Sequence, residues 1–367
     1  MRISPAQVCS IFIFCLINSC LFAQESDSLS VSRQFSIRLH AGVARPAKVV
    51  PASTANPMGI ELTYSRMSLR PKAWAECNCF SRVGAYANYL AFGNPTALGR
   101  TYGAGLYFEP YITYRSRLQL SLRLSAGLTY LTRVYDPETN PSNRYFSMPL
   151  SAMIAAALKA YYRLDDAFSL TLSGHFNHIS NAGTRVPNQG INVPTIGLGL
   201  AWHPQPLRFP DTRSWPRIPL TRRWFGRATV FGAVRVLPAD SRGGEMALPM
   251  VGVAGLGGYR LTRVHAVSAG LEWVDDQYFG EQTRRWRYKD TNYRQATALL
   301  GYEFWQGRFI FSIHHGWNFK RPYPYQPGSY QRYHLLYRLR SGLTAGIGVK
   351  SYVDDTKGFN AVVGWTL

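Results

Sequence analysis

The stretch Arg117-Leu118-Gln119-Leu120-Ser121-Leu122-Arg123-Leu124-Ser125-Ala126-Gly127-Leu128-Thr129-Tyr130 alternates from end to end. Leu118, Leu120, Leu122, Leu124, Ala126, Leu128 and Tyr130 form one row. Arg117, Gln119, Ser121, Arg123, Ser125, Gly127 and Thr129 form the other. A β-strand repeats its side-chain direction every second residue, so this segment has one apolar face and one polar, charged face. Its length of ~14 residues is what a tilted strand needs to cross a bilayer.

Working outward, the same pattern recurs near 34–44, 57–67, 81–93, 101–115, 117–132, 146–163, 167–180 and 190–203, and again near 224–237, 249–260, 263–274, 293–305, 308–319, 329–340, 342–352 and 358–367. Tight turns such as Arg115-Ser116-Arg117, Leu164-Asp165-Asp166, Gln306-Gly307 and Ser341-Gly342 follow even strands. Longer polar loops (45–56, 133–145, 181–189, 238–248, 275–292, 320–328) follow odd ones. Short inward turns and long outer loops characterise outer-membrane barrels, so the odd strands are expected to run outward. Aromatic residues make up 14% of the chain and crowd the segment ends, as interface girdles do. Two connections, 68–80 and 205–223, are long where short ones are expected.

The fold class predicted is therefore all-β: an antiparallel transmembrane β-barrel of about 16 strands in two eight-strand halves. Residues 24–204 form the first half and 224–367 the second. Between them, 205–223 is rich in proline and arginine, and proline cannot sit in a central strand. Two halves allow two small barrels or one large one. Every free edge in lipid must be closed, and a single closure is simpler, so one barrel is expected.

Residues 1–23 combine a basic start (Met1-Arg2), a short apolar run (Ile11 to Ile17) and a small residue at the exit, Ala23. These are the parts of a secretory signal peptide, and the run is too short to span a membrane as a helix. Ser19-Cys20 after Ile17 is an imperfect lipoprotein site, with Asn18 a poor fit. Export to the outer membrane is the expectation. Three of the five cysteines leave with this segment. Cys77 and Cys79 remain, too close in an extended chain for a relaxed disulfide, and are read as two thiols in a loop.

The net charge is +21, carried mostly by arginine. Basic chains often meet nucleic acid, but an exported chain does not. Its arginines would face phosphorylated, anionic lipid such as lipopolysaccharide, or line a polar lumen.

On the seventh strand Phe168, Leu170, Leu172, Gly174 and Phe176 form the lipid-facing row, which ends in His178 and Ser180. Polar groups there are costly unless used or satisfied. Spacing i, i+2 sets an imidazole beside a hydroxyl, the pair that serves as general base and nucleophile toward an ester. Asn192 heads the corresponding row of the eighth strand and is placed to approach His178. His175 falls on the lumen side and is expected to be structural.

The cluster His178, Ser180, Asn181, Ala182, Gly183, Pro187, Asn188, Gly190 and Ile191 resembles the outer-membrane lipid A 3-O-deacylases, the PagL family of acyloxyacyl hydrolases. The resemblance covers residues 34–204, is strongest over 175–200, and extends into the second half only as a likeness to longer relatives. It implies an eight-stranded barrel that removes an ester-linked acyl chain from lipid A through a Ser-His-Glu triad on its outer wall. Ser180 would then be the nucleophile, His178 the base, and Asn181 with the Gly183 backbone the oxyanion donors. The family's acid falls on Asn192, and replacing the carboxylate of such a triad by its amide can cost ~10⁴ in rate. No metal or cofactor is called for, and the partners implied are lipopolysaccharide and the bilayer. The competing expectation is a catalytically inactive relative serving structure, lipid binding or solute passage.

In the second half, His314-His315 with Asn318, Tyr323, Tyr325, Tyr330 and Tyr333 reads as an aromatic belt. Asp354-Asp355 reads as a solvated loop, and the glycines near 103 and 255 belong to strands rather than to a phosphate loop.

Overall fold

The computed structural model describes residues 30–43, 45–46, 56–181, 185–217, 219–288, 292–322, 328–352 and 355–367. Residues 1–23, read above as a signal peptide, and Ala182, Gly183, Tyr323, Tyr325 and Asp354 lie outside them.

All sixteen alternating segments are strands. The first eight are β1 (Val31–Gly42), β2 (Met58–Ser68), β3 (Ser81–Ala91), β4 (Arg100–Thr113), β5 (Leu118–Leu131), β6 (Leu150–Arg163), β7 (Phe168–Ser180) and β8 (Ile191–Trp202). The second eight are β9 (Trp224–Leu237), β10 (Met246–Arg260), β11 (His265–Asp276), β12 (Arg294–Gln306), β13 (Phe309–Lys320), β14 (Ser329–Arg338), β15 (Leu343–Tyr352) and β16 (Asp355–Thr366). Each pairs antiparallel with its neighbour.

The expected single barrel is corrected here: there are two. β8 returns to β1, with Phe35 opposite Trp202 and Gly42 opposite Thr195, and β16 returns to β9, with Arg227 opposite Thr366. Once β8 has bonded β1, the first sheet has no free long edge to offer β9, so the second set must close on itself. The large water-filled lumen of one sixteen-stranded barrel is therefore not formed. Each eight-stranded lumen is filled by side chains, as a barrel of this size requires. In the first, Arg38 and Arg123 hold Glu61 at 2.6 and 2.7 Å, and Lys159 pairs with Glu109 at 2.9 Å. In the second, Arg227 grips Glu303 with two bonds of 3.0 Å, while Tyr330 donates to Glu272 at 2.6 Å. The outer walls are the reverse. Leu39, Leu62, Leu158, Leu172, Leu198, Leu271 and Leu300 are all exposed, as suits a wall solvated by lipid.

The two anomalous connections meet at the inward end of the first barrel. A single helical turn, α1 (Pro71–Trp74), follows β2. Trp74 packs edge-on against Trp215 at 5.7 Å, and Phe80 meets Phe209 at 5.3 Å. Thr212 receives Arg115 Nη2 at 2.9 Å and lies 3.0 Å from the Tyr114 hydroxyl. The proline-rich segment thus lies against this barrel as an aromatic cap. Within the cap Cys77 and Cys79 form a disulfide, which corrects the reading of two thiols. The chain there is not extended. Asn78 sits in the left-handed region at φ 55° and brings the two Cα atoms to 5.0 Å.

In the second barrel the loop after β11 forms α2 (Gln277–Trp286), whose first turn is capped by Asp276 accepting from the Tyr278 amide at 3.2 Å. The barrels touch at their inward ends. Gln306 donates to Ser81 at 3.0 Å, and Phe108 stacks on Phe309 at 6.1 Å.

Candidate active site

β7 carries its small and polar residues to the lumen and its large apolar residues outward. The outward row ends in His178 and Ser180. The register places His178 opposite Ile154 on β6 and opposite Asn192 on β8, while Ser180 faces Ala152. His178, Ser180 and Asn192 therefore share the outer wall. His175 points inward, 3.0 Å from Ser173 Oγ and edge-on to His40, as a structural lumen group.

His178 Nδ1 lies 2.8 Å from Asn192 Oδ1. An amide oxygen only accepts, so Nδ1 carries the ring proton and the neutral imidazole keeps its lone pair on Nε2. That is the tautomer able to take a proton from a hydroxyl. No carboxylate pairs with His178 among the described residues. Glu61 and Glu109 are lumen groups committed to Arg38, Arg123 and Lys159.

Ser180 is 4% exposed. What covers it is the returning loop. Asn188 Nδ2 donates to Ser180 Oγ at 3.0 Å, and Asn188 Oδ1 accepts from the Asn181 backbone amide at 3.2 Å. Asn181 spans the loop base, its side-chain nitrogen donating to Ser147 Oγ and to the Arg185 carbonyl, both at 2.9 Å. The amide seen on the serine is thus Asn188, a residue that the sequence placed in the motif without a role. Gly190 was also missed as a steric element. It lies at φ 62°, and a Cβ built there would stand 3.0 Å from His178 Cε1. Both the backbone conformation and the close approach to the ring call for glycine.

The wall under these residues is closely packed. Ile179 and Ile191 pair across β7 and β8 and are fully buried with Phe92, Leu131, Phe146 and Val193 in an apolar plug at the outer mouth. The loop before β6 is tied to the loop between β7 and β8 by Gln189 N to Arg144 O (3.2 Å) and Gly190 N to Tyr145 O (3.3 Å). Among the described residues, no three His, Cys, Asp or Glu side chains gather as a metal site. The second barrel meets the first at the inward ends of β3 and β4, across the barrel from β7 and β8. The second barrel therefore does not cover the wall bearing Ser180.

Two family models match the chain. Residues 59–201 match lipid A 3-O-deacylase (PagL), and residues 224–366 match the C-terminal domain of acyloxyacyl hydrolase. No curated protein matches it. Among solved structures, similarity is found to the crystal structure of the outer membrane enzyme PagL, at 11% identity and a TM-score of 0.33, covering 45% of this chain and 97% of that one. Neisserial surface protein A is matched at 11% identity and a TM-score of 0.34, covering 47% and 97%.

Proposed function

The chain belongs to the lipid A 3-O-deacylase (PagL) family in its two-unit form, and from that premise we propose that it is an outer-membrane hydrolase removing an ester-linked acyl chain from lipid A. The observation that carries this reading is the His178–Asn192 bond on the lipid-facing wall, two residues along the strand from a serine held by an amide.

Lipid A would reach Ser180 sideways, within the leaflet. Ser180 Oγ attacks the ester carbonyl as its proton passes to His178 Nε2, and Asn192 Oδ1 holds the Nδ1–H of the imidazolium that results. Asn188 Nδ2 donates to the oxyanion of the tetrahedral intermediate, the place where a fixed donor contributes most. Collapse expels the sugar hydroxyl with the proton from His178, and water then frees the fatty acid by the reverse sequence. An amide stabilises the imidazolium less than a carboxylate does, so this enzyme is expected to be slow.

Mass spectrometry of lipid A from cells expressing the wild type and Ser180→Ala tests the reading. One hydroxyacyl mass should be missing with the wild type and restored with the variant. Identical lipid A in both would remove the hydrolase. Asn192 in place of an acid favours a second reading, a barrel that binds lipid A without cutting it, and that is the reading such a result would leave.

A further inference from the structure

The outer rim of the second barrel carries two cations seated on exposed tryptophans. Arg242, in the β9–β10 loop, stacks its guanidinium 3.9 Å from the centre of the Trp286 ring. Lys320, the last residue of β13, sets Nζ 5.2 Å from the ring of Trp273. The two tryptophans are 46% and 40% exposed. The ion pairs at this end use Arg235, Arg284, Arg285 and Arg294, and among the described residues Arg242 and Lys320 enter none. Glu245, in the same loop as Arg242, also enters no ion pair among the described residues.

The support beneath both pairs is built rather than loose. Arg285, with a side chain 1% exposed, donates to the carbonyls of Pro238 (3.1 Å), Gly243 (3.2 Å) and Gly244 and bonds Glu281 at 2.9 Å. It thereby fastens α2, which ends in Trp286, to the loop that bears Arg242. Hydrogen bonds from Arg284 and then Arg285 hold the Glu281 carboxylate down at about 2, so that charge is already engaged. At the other pair, Ala296 lies on the lipid-facing row yet is 3% exposed. It is opposite Trp273 on one side and Lys320 on the other, and the two close over it.

We propose that this rim is a docking site for the phosphorylated headgroup of lipopolysaccharide, with Arg242 and Lys320 as its phosphate donors. The choice of lipid rests on the outer-membrane reading above; the site itself does not need Ser180. Tryptophan settles at the level of the headgroups, which sets both cations at phosphate height. A guanidinium lying flat on an aromatic ring keeps its N–H edge free for an oxyanion, and a stacked ammonium keeps donors as well. The first barrel has no such pair at its outer rim among the described residues. Arg123 over Tyr107 and Lys159 over Tyr161 lie in the lumen, and Arg115 over Tyr114 lies at the inward end. One barrel holds the headgroup and the other presents the reactive wall.

The experiment uses the full chain carrying Ser180→Ala in lipid nanodiscs, so that binding is read without hydrolysis. The probes are bisphosphorylated lipid A, the same lipid stripped of phosphate, and phosphatidylglycerol. Arg242→Gln with Lys320→Gln should weaken bisphosphorylated lipid A by ~10-fold or more, and Arg308→Gln at the inward end should leave it unchanged. Dephosphorylated lipid should bind the parent at least ~10-fold more weakly than the phosphorylated form. Three results each overturn the proposal: a double variant that binds like its parent, equal binding of the dephosphorylated lipid, or equal binding of phosphatidylglycerol. Loss of binding in the Arg308→Gln control would also overturn it, since the effect would then not belong to this rim.

Discussion

The seventh strands of the two barrels cross the same kind of wall and carry different outward rows. β7 ends in Gly174, Phe176, His178 and Ser180, and β15 ends in Ala345, Ile347, Val349 and Ser351. Both therefore reach the outer end with a serine, but only the first has an imidazole two residues before it. Only the first also has, opposite that imidazole, an amide from the next strand at 2.8 Å. The lumens differ much less. Each is packed around two buried glutamates gripped by arginine and lysine. A barrel needs only alternation and closure, and its chemistry comes from a few residues placed on the wall.

The largest effect expected is the one that would break this contrast outright. Ser180→Ala should lower deacylation by ~10⁴-fold or more, while Ser351→Ala leaves it unchanged, read as the rate of fatty-acid release from lipid A. If both serines mattered, the asymmetry between the barrels would be lost. Next comes Asn192→Glu, which restores a carboxylate behind the imidazole and should raise the rate by up to ~10⁴-fold. No gain would mean that Asn192 does not orient a working base. Asn188→Ala should then cost ~10²–10³ in kcat with little change in KM, the signature of an oxyanion donor. A loss confined to KM would make Asn188 a substrate-binding residue instead.

The smallest effect concerns the other end of the molecule. Phe80 is buried among Tyr114, Phe209 and Trp215 in the inward cap, so Phe80→Ala should destabilise the first barrel by about 3 kcal/mol. Its thermal unfolding should shift while that of the second barrel does not. A common shift would mean that the two barrels unfold as one unit.

The strands were legible because each depends on a local rule. Leu118 to Tyr130 can bury its polar row only by turning it inward, and lipid accepts the other row, so the sequence shows both faces. The wall position of His178, Ser180 and Asn192 follows from the same parity. Asn188 and Gly190 were not legible as parts of the site. Their roles depend on a loop folding back over β7, and no period in the sequence records that return. The disulfide was missed for a similar reason: its reach depends on the left-handed Asn78, whereas an extended chain was assumed.

By itself, then, the sequence determined the sixteen strands, which residues face lipid, and the serine and histidine that share one wall, because side-chain alternation is local. Only the tertiary structure decided that the strands close as two barrels, that residues 205–215 cap the first, and that Asn188 covers Ser180. Closure and loop return bring together residues far apart in the chain, and the hydrogen bonds that favour one partner over another exist only once the ring is complete.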